Sequence, residues 1–216
     1  MQKYRNVLFD LDGTISDPKV GITKSIQYAL GKMGITPPGT DELTVFIGPP
    51  LYESFQRSYG MDAAQAKQAI AHYREYFAQN GMYENRVYSG VQTLLEQLRK
   101  DGRFIALATS KPTEFSETIL QHFNIRHLFH LVVGSNMDGT RSAKAEIIRC
   151  VMDHCPDSPP ESFVMIGDRA YDIIGANENG IDSIGVTYGY GTMDELLGAG
   201  PTFVAHSFTA LQAMLM

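Results

Sequence analysis

Apolar and polar positions follow two different rhythms along this chain, and the rhythm changes near residue 86. A short apolar run, 6–9, reads as a fully buried strand. Helical spacing then takes over. Ile22, Ile26, Ala29, Leu30 and Met33 form one stripe, with Asp17 placed to cap a helix that starts at Pro18. Gly34 and Pro37-Pro38-Gly39 break it. A short helix from Thr40 or Asp41 through Phe46 is ended by Gly48-Pro49-Pro50, and another over 51–59 is stopped by Gly60. Asp62 followed by Gln65 three residues on spells a capping box, opening a helix that runs to Asn80-Gly81. No strand pattern occurs between Asp17 and Gly81.

From Val87 the pattern alternates. Helical segments at 91–100, 113–123, 142–154, 171–179, 193–197 and 209–215 interleave with apolar strands at 104–108, 130–134, 163–167, 183–187 and 202–205. Such βαβ alternation predicts an α/β fold, a Rossmann-like parallel sheet with helices on both faces and right-handed crossovers. The reading is therefore two domains. Residues 1–16 and 86–216 form the α/β core, and 17–85 form an all-α insert placed directly after the first strand.

In an open parallel sheet, ligands gather where the strands end. The first strand stops at Asp10-Leu11-Asp12-Gly13-Thr14. Residues i and i+2 of an extended chain point the same way, so both carboxylates face one side. Crowded beside an apolar strand they repel, and they need a cation, a shared proton or a substrate charge. Gly13 frees the backbone to turn and bring an N–H near a ligand. Taken alone, the pair also fits an acidic turn at a surface. Other strand ends carry matching chemistry. Thr109 and Ser110 offer hydroxyl and amide donors to an anion, though Thr-Ser is equally a helix cap. Lys111 either reaches that pocket or sits in solvent, and Arg141 is a substrate contact or a surface charge. Lys144 stands in the first turn of a helix, where the dipole disfavours a cation, so it calls for another reason to be there. Asp168 and Asp172 place two more acids at the same edge; helix capping accounts for one of them but not both.

Composition narrows the partners. The chain of 216 residues has 44% hydrophobic and 19% charged residues, those of a globular protein, and a net charge of −6, which argues against nucleic acid or an anionic membrane. No apolar run reaches the length of a membrane span, and Met1-Gln2-Lys3-Tyr4-Arg5 leads into the first strand without a signal-peptide core. A cytoplasmic location is the expectation. Cys150 and Cys155, read as lying on different faces of one helix, do not suit a disulfide. The six histidines lack the spacing of a transition-metal site.

The four motifs together, Asp10 to Asp17, Thr109-Ser110, Lys144 and Gly167 to Asp172, resemble those of the haloacid dehalogenase superfamily in order and placement. The second acid, Asp12, is similar to its phosphatase branch rather than its dehalogenases. That resemblance implies a phosphomonoester hydrolase in which Asp10 is the nucleophile and Asp12 the general acid/base. Thr109 then binds the phosphoryl group beside Ser110 and the Gly13 turn, and Lys144 pairs the nucleophile with a phosphate oxygen. Asp10, Asp12, Asp168 and Asp172 are assigned to Mg²⁺, a hard cation suited to carboxylate oxygens. The insert resembles the helical cap of the phosphoglycolate phosphatase-like and bacterial 5′-nucleotidase-like branch, whose substrate-facing loop corresponds to Phe46, Gly48 and Pro49. The loop over 43–52 holds no cation for a carboxylated substrate, so Lys24 is the candidate to supply one. The implied partner is a small phosphorylated metabolite, with the chain a monomer or a homodimer. A sugar-phosphate mutase of the same fold and a non-catalytic regulatory member are the rival readings.

Overall fold

The computed structural model describes residues 4–216; Met1, Gln2 and Lys3 lie outside the described residues. The chain divides into two compact units, Met1–Ser16 with Val87–Met216, and Asp17–Arg86. The first is a six-stranded parallel sheet. β1 (Asn6–Phe9) lies at its centre, flanked by β4 (Phe104–Pro112) and β6 (Phe163–Gly167). β5 (Leu131–Ser135) extends the β4 side, while β7 (Asp182–Val186) and β8 (Phe203–Ala205) extend the other, giving the order β5-β4-β1-β6-β7-β8. All four residues of β1 are buried, as a central parallel strand requires.

Helices α4 (Val91–Lys100), α5 (Thr113–His122), α6 (Lys144–Met152), α7 (Ala170–Glu178), α8 (Met193–Gly198) and α9 (Phe208–Leu215) connect or follow these strands. Their buried stripes keep helical spacing: Val91, Leu94, Leu95 and Leu98 on α4, and Ile147, Ile148 and Val151 on α6. The α6 set packs against Leu8, Ala106, Val133 and Met165 from four different strands, so one helix covers the middle of the sheet. β4 runs four residues past its expected end, and its register with β5 shifts between Ala108 and Pro112. That irregularity falls on the Thr109-Ser110-Lys111 stretch.

The second unit is helical among the described residues, apart from one residue of each connecting strand. β2 (Ser16–Asp17) and β3 (Arg86–Val87) pair as a two-stranded sheet where the chain leaves the first unit and returns. Between them come α1 (Lys19–Lys32), α2 (Leu51–Tyr59) and α3 (Ala63–Tyr76). α1 starts one residue later than the sequence suggests, although Asp17 still accepts the Lys19 N–H at 3.2 Å. The capping box at Asp62 forms as expected: its side chain accepts from Ala64 and Gln65, and Gln65 accepts the Asp62 N–H in return. The expected helix ending at Phe46 is a 3-10 turn, Glu42–Phe46, too short for an α-helix before Gly48-Pro49-Pro50. No helix among the described residues is long and apolar enough to cross a membrane.

Arg103, just before β4, is buried with 3% of its surface exposed. Its guanidinium donates to the Tyr4 carbonyl at 3.2 Å and to the Leu215 carbonyl at the end of α9. A cation at a helix C-terminus is electrostatically favoured, and here it also joins the chain entering β1 to the last helix. Arg103→Ala would leave both carbonyls short of a donor and open a cavity. The expected cost is about 3 kcal/mol, read as a fall of roughly 6–12 °C in Tm. A melting temperature within about 2 °C of the parent would show that water replaces both bonds.

Candidate active site

Asp10, Asp12, Thr109, Ser110 and Asp168 lie at or just beyond the carboxyl end of a strand in the first unit, while Lys144 and Asp172 stand in the first turns of α6 and α7. Asp10 follows β1 directly, and its N–H continues the parallel ladder by donating to the Ile166 carbonyl at 2.9 Å. Leu11, fully buried, points away from the edge and leaves Asp10 and Asp12 on it. The chain then folds back on itself. Gly13 donates to the Ser16 carbonyl at 2.7 Å, while Ile15 and Ser16 both donate to the Leu11 carbonyl. Gly13 has φ +83, and a Cβ there would fall 2.1 Å from an Asp168 carboxylate oxygen, so only glycine lets the turn approach that acid.

Lys144, at the first position of α6, reaches back under the edge with its side chain 4% exposed. Its ammonium donates to Asp10 Oδ1 at 2.8 Å and to the Ala108 carbonyl at 2.9 Å, and it pairs with Asp172 Oδ1 at 2.7 Å. This is the reason for a lysine in a first turn. Burial alone would lower its pKa, but the two carboxylates outweigh that and hold it above its ordinary value, so it stays charged.

Asp168 follows β6 and is completely buried. Its carboxylate accepts the Tyr190 N–H at 2.7 Å and the Thr14 hydroxyl at 3.4 Å. Asp172 on α7 accepts the Arg169 N–H at 3.1 Å. Burial raises the pKa of both acids, reinforced for Asp168 by Asp10 and Asp172 and opposed for Asp172 by Lys144. One oxygen from each of Asp10, Asp168 and Asp172 lies within 4.8 Å of the others. Three buried carboxylates this close, with a single ammonium touching two of them, are a donor set that a metal ion would satisfy.

Asp12 is not one of the three acids whose carboxylate oxygens cluster. Its carboxylate turns to Lys111, Oδ2 lying 2.6 Å from the ammonium. Burial pushes the Asp12 carboxyl above the ordinary range, with Lys111 pulling the other way. Thr109 is buried, and its hydroxyl oxygen accepts the Lys111 N–H at 3.3 Å. Ser110 donates to the Ser142 carbonyl at 3.3 Å and so ties the β4 end to the segment before α6. The sequence leaves Lys111 undecided, and it marks Gly189-Tyr190-Gly191-Thr192 only by resemblance, not as a support of Asp168. Tyr188 donates its hydroxyl to the Thr14 carbonyl at 3.2 Å, and a Cβ at Gly189 would meet Asp168 at 2.4 Å. The Gly-Tyr-Gly spelling was the available signal.

In the helical unit, Lys24 pairs with Glu84 at 2.6 Å, and Tyr76 donates to the same carboxylate. Phe46 is 2% exposed and packs on Phe55 and Tyr59 of its own unit, at centroid distances of 5.2 and 6.2 Å. It serves that unit's interior rather than its surface, as burial among aromatic partners favours. Pro49 is buried and Gly48 half-buried.

A family model described as haloacid dehalogenase-like hydrolase matches residues 7–186. A protein of Pseudomonas aeruginosa named 5′-nucleotidase is 46% identical over 99% of this chain and 96% of its own length. One of Mycobacterium tuberculosis named tyrosine-protein kinase PtkA is 36% identical over 94% of this chain and 69% of its own length. The crystal structure of a predicted phosphatase from Clostridium acetobutylicum superposes with a TM-score of 0.94 at 45% identity, covering 97% of each chain. With the motifs assembled at one sheet edge and the match spanning most of the chain, this protein belongs to the haloacid dehalogenase-like hydrolase family.

Proposed function

We propose that the chain is a cytoplasmic Mg²⁺-dependent phosphatase of nucleoside 5′-monophosphates, acting through an aspartyl-phosphate on Asp10. The observation that carries the mechanism is the Lys144 ammonium on Asp10 Oδ1. It aims the carboxylate and leaves its other oxygen to attack phosphorus. As the new O–P bond forms, the bond to the leaving oxygen breaks and Asp12 gives that oxygen a proton. In the second half Asp12 takes a proton from water, which attacks phosphorus and releases phosphate from Asp10. Thr109 and Lys144 stabilise the charge on the transferring group. Mg²⁺ held by Asp10, Asp168 and Asp172 would neutralise the acids and the phosphate oxygens.

The substrate class rests on the charges and aromatic side chains of the helical unit and on the name of the Pseudomonas relative. A carboxylated two-carbon substrate such as phosphoglycolate wants a cation near its carboxylate. Lys24, the candidate, is paired with Glu84, and Lys19 is paired with Asp41. The segment over 43–52 supplies none. A nucleoside asks instead for apolar and aromatic surface, which Tyr52, half-buried on α2, can offer.

In a panel of nucleoside 5′-monophosphates, phosphoglycolate, phosphotyrosine and p-nitrophenyl phosphate, a nucleotide should give the highest kcat/KM, exceeding phosphoglycolate by about tenfold or more. A preference for phosphoglycolate would overturn the substrate assignment. Asp10→Asn should fold normally and lose at least about 10³-fold in turnover, with no acid-stable phosphoenzyme formed. Retention of most activity by that variant would sink the covalent route.

Metal removal should expose the cost of the acid cluster. Because burial raises Asp168 and Asp172, the folded protein holds protons there that the unfolded chain releases. The stability this contributes is complete below the ordinary carboxylate pKa of about 4 and is lost as pH rises through the Asp172 value of about 6 and beyond. In chelator, Tm should therefore fall between pH 5 and pH 8. Saturating Mg²⁺ should remove that slope and raise Tm at pH 8 by about 5–10 °C. A melting curve indifferent to Mg²⁺ at pH 8 would argue against the metal site.

A further inference from the structure

Asp12 presents its two oxygens to different surroundings. Oδ2 lies 2.6 Å from the Lys111 ammonium, with side-chain exposures of 6% for Lys111 and 10% for Asp12. Oδ1 is buried and has no hydrogen-bond partner among the described residues. A proton on Oδ2 would point at an ammonium that is itself a donor without an acceptor lone pair, so any proton on this carboxyl belongs on Oδ1. The reading of Asp12 as the acid and base, on which this inference rests, leaves open which oxygen does the work and what holds it.

We propose that Lys111 is the positioning residue for Asp12: it fixes Oδ2 and thereby dedicates Oδ1 to the leaving group and to the attacking water. The fold is built to hold it there. Lys111 sits inside the register shift of β4, so the strand end departs from plain alternation at this residue. Its carbonyl lies so close to Gly134 on β5 that a Cβ there would be 2.2 Å away. Gly134 is held from its own carbonyl by Arg141, whose Nε donates to it at 2.9 Å. Arg141 adopts φ +51 in doing so, a left-handed conformation that a non-glycine residue takes only with support. Arg141 is thus two steps removed from the chemistry and braces the strand that places Lys111.

The motif I acids then have separate cations, Lys144 for Asp10 and Lys111 for Asp12. A lysine serving Asp12 should affect only the steps in which Asp12 moves a proton. A lysine serving the phosphoryl group should affect every ester alike. The test measures kcat/KM for a nucleoside 5′-monophosphate, whose alkoxide leaving group needs an acid, and for p-nitrophenyl phosphate, whose leaving group does not. Lys111→Met should lower the nucleotide value by about 10–100-fold and the p-nitrophenyl value by no more than about threefold, with the inhibition constant of inorganic phosphate changed less than about threefold. Lys111→Arg should recover at least about fivefold of the nucleotide loss. In an Asp12→Asn background, Lys111→Met should have no further effect on the nucleotide, because the pair acts as a unit.

Equal losses on both esters, or a rise of more than about tenfold in the phosphate inhibition constant, would make Lys111 a phosphoryl ligand and overturn the proposal. Additive losses in the double variant would overturn it as well. If Asp12→Asn alone lowered both esters equally, the acid assignment itself would fall. An ester-selective Asp12→Asn beside a non-selective Lys111→Met would refute the positioning role alone. Should Lys111→Met melt below the assay temperature, Lys111→Gln carries the same comparison.

Discussion

Charge crowding at one sheet edge is the constraint on which the rest of this structure depends. Four carboxylates, Asp10, Asp12, Asp168 and Asp172, are buried there with two ammonium groups, Lys111 and Lys144, which leaves a formal charge of −2. Removing such charges from water is costly, and two ion pairs recover only part of it. A divalent cation held by Asp10, Asp168 and Asp172 would close the deficit and let a phosphate dianion approach.

The sheet makes this crowding possible. β1 lies between β4 and β6, so the segments leaving all three meet at one end. α6 and α7 then deliver Lys144 and Asp172 to the same place from the helix layer. Single glycines permit the closest approaches, at Gly13 and Gly189 against Asp168. A side chain at either would displace the acid by more than the tolerance of a catalytic geometry. Backbone amides do part of the holding: the Tyr190 N–H on Asp168 and the Arg169 N–H on Asp172 stay fixed whatever the protonation of their partners.

Much of this was legible in the residues. Asp10, Asp12, Thr109, Lys144, Asp168 and Asp172 each stand where an apolar run or a helical stripe stops, and strand periodicity is strong enough in a buried parallel sheet to locate those stops. The α2 and α4 boundaries and the Asp62 cap follow from glycine, proline and capping chemistry that acts within four residues. What failed to show depends on residues distant in sequence. Lys111 could not be assigned because its direction is set by a register shift against β5. Lys24 reads as an available cation until Glu84, sixty residues on, takes it. Phe46 reads as a loop aromatic until Phe55 and Tyr59 enclose it. Arg103 carries no local signal, since its partners are backbone carbonyls at the two ends of the chain's fold.

The two lysines also explain why one leucine separates the motif I acids. With a single intervening residue, Asp10 and Asp12 emerge on the same side of the edge, and like charges so close would drive one another to protonate. Separate cations meet the two acids in different ways. Lys144 bonds Asp10, Asp172 and the Ala108 carbonyl at once, so its position is overdetermined and Asp10 is held in one orientation. Lys111 pairs with Asp12 through Oδ2. The first arrangement suits a nucleophile, which must be ionised and aimed. The second suits a group that has to gain and lose a proton, because it leaves one oxygen of the carboxyl without a competing bond.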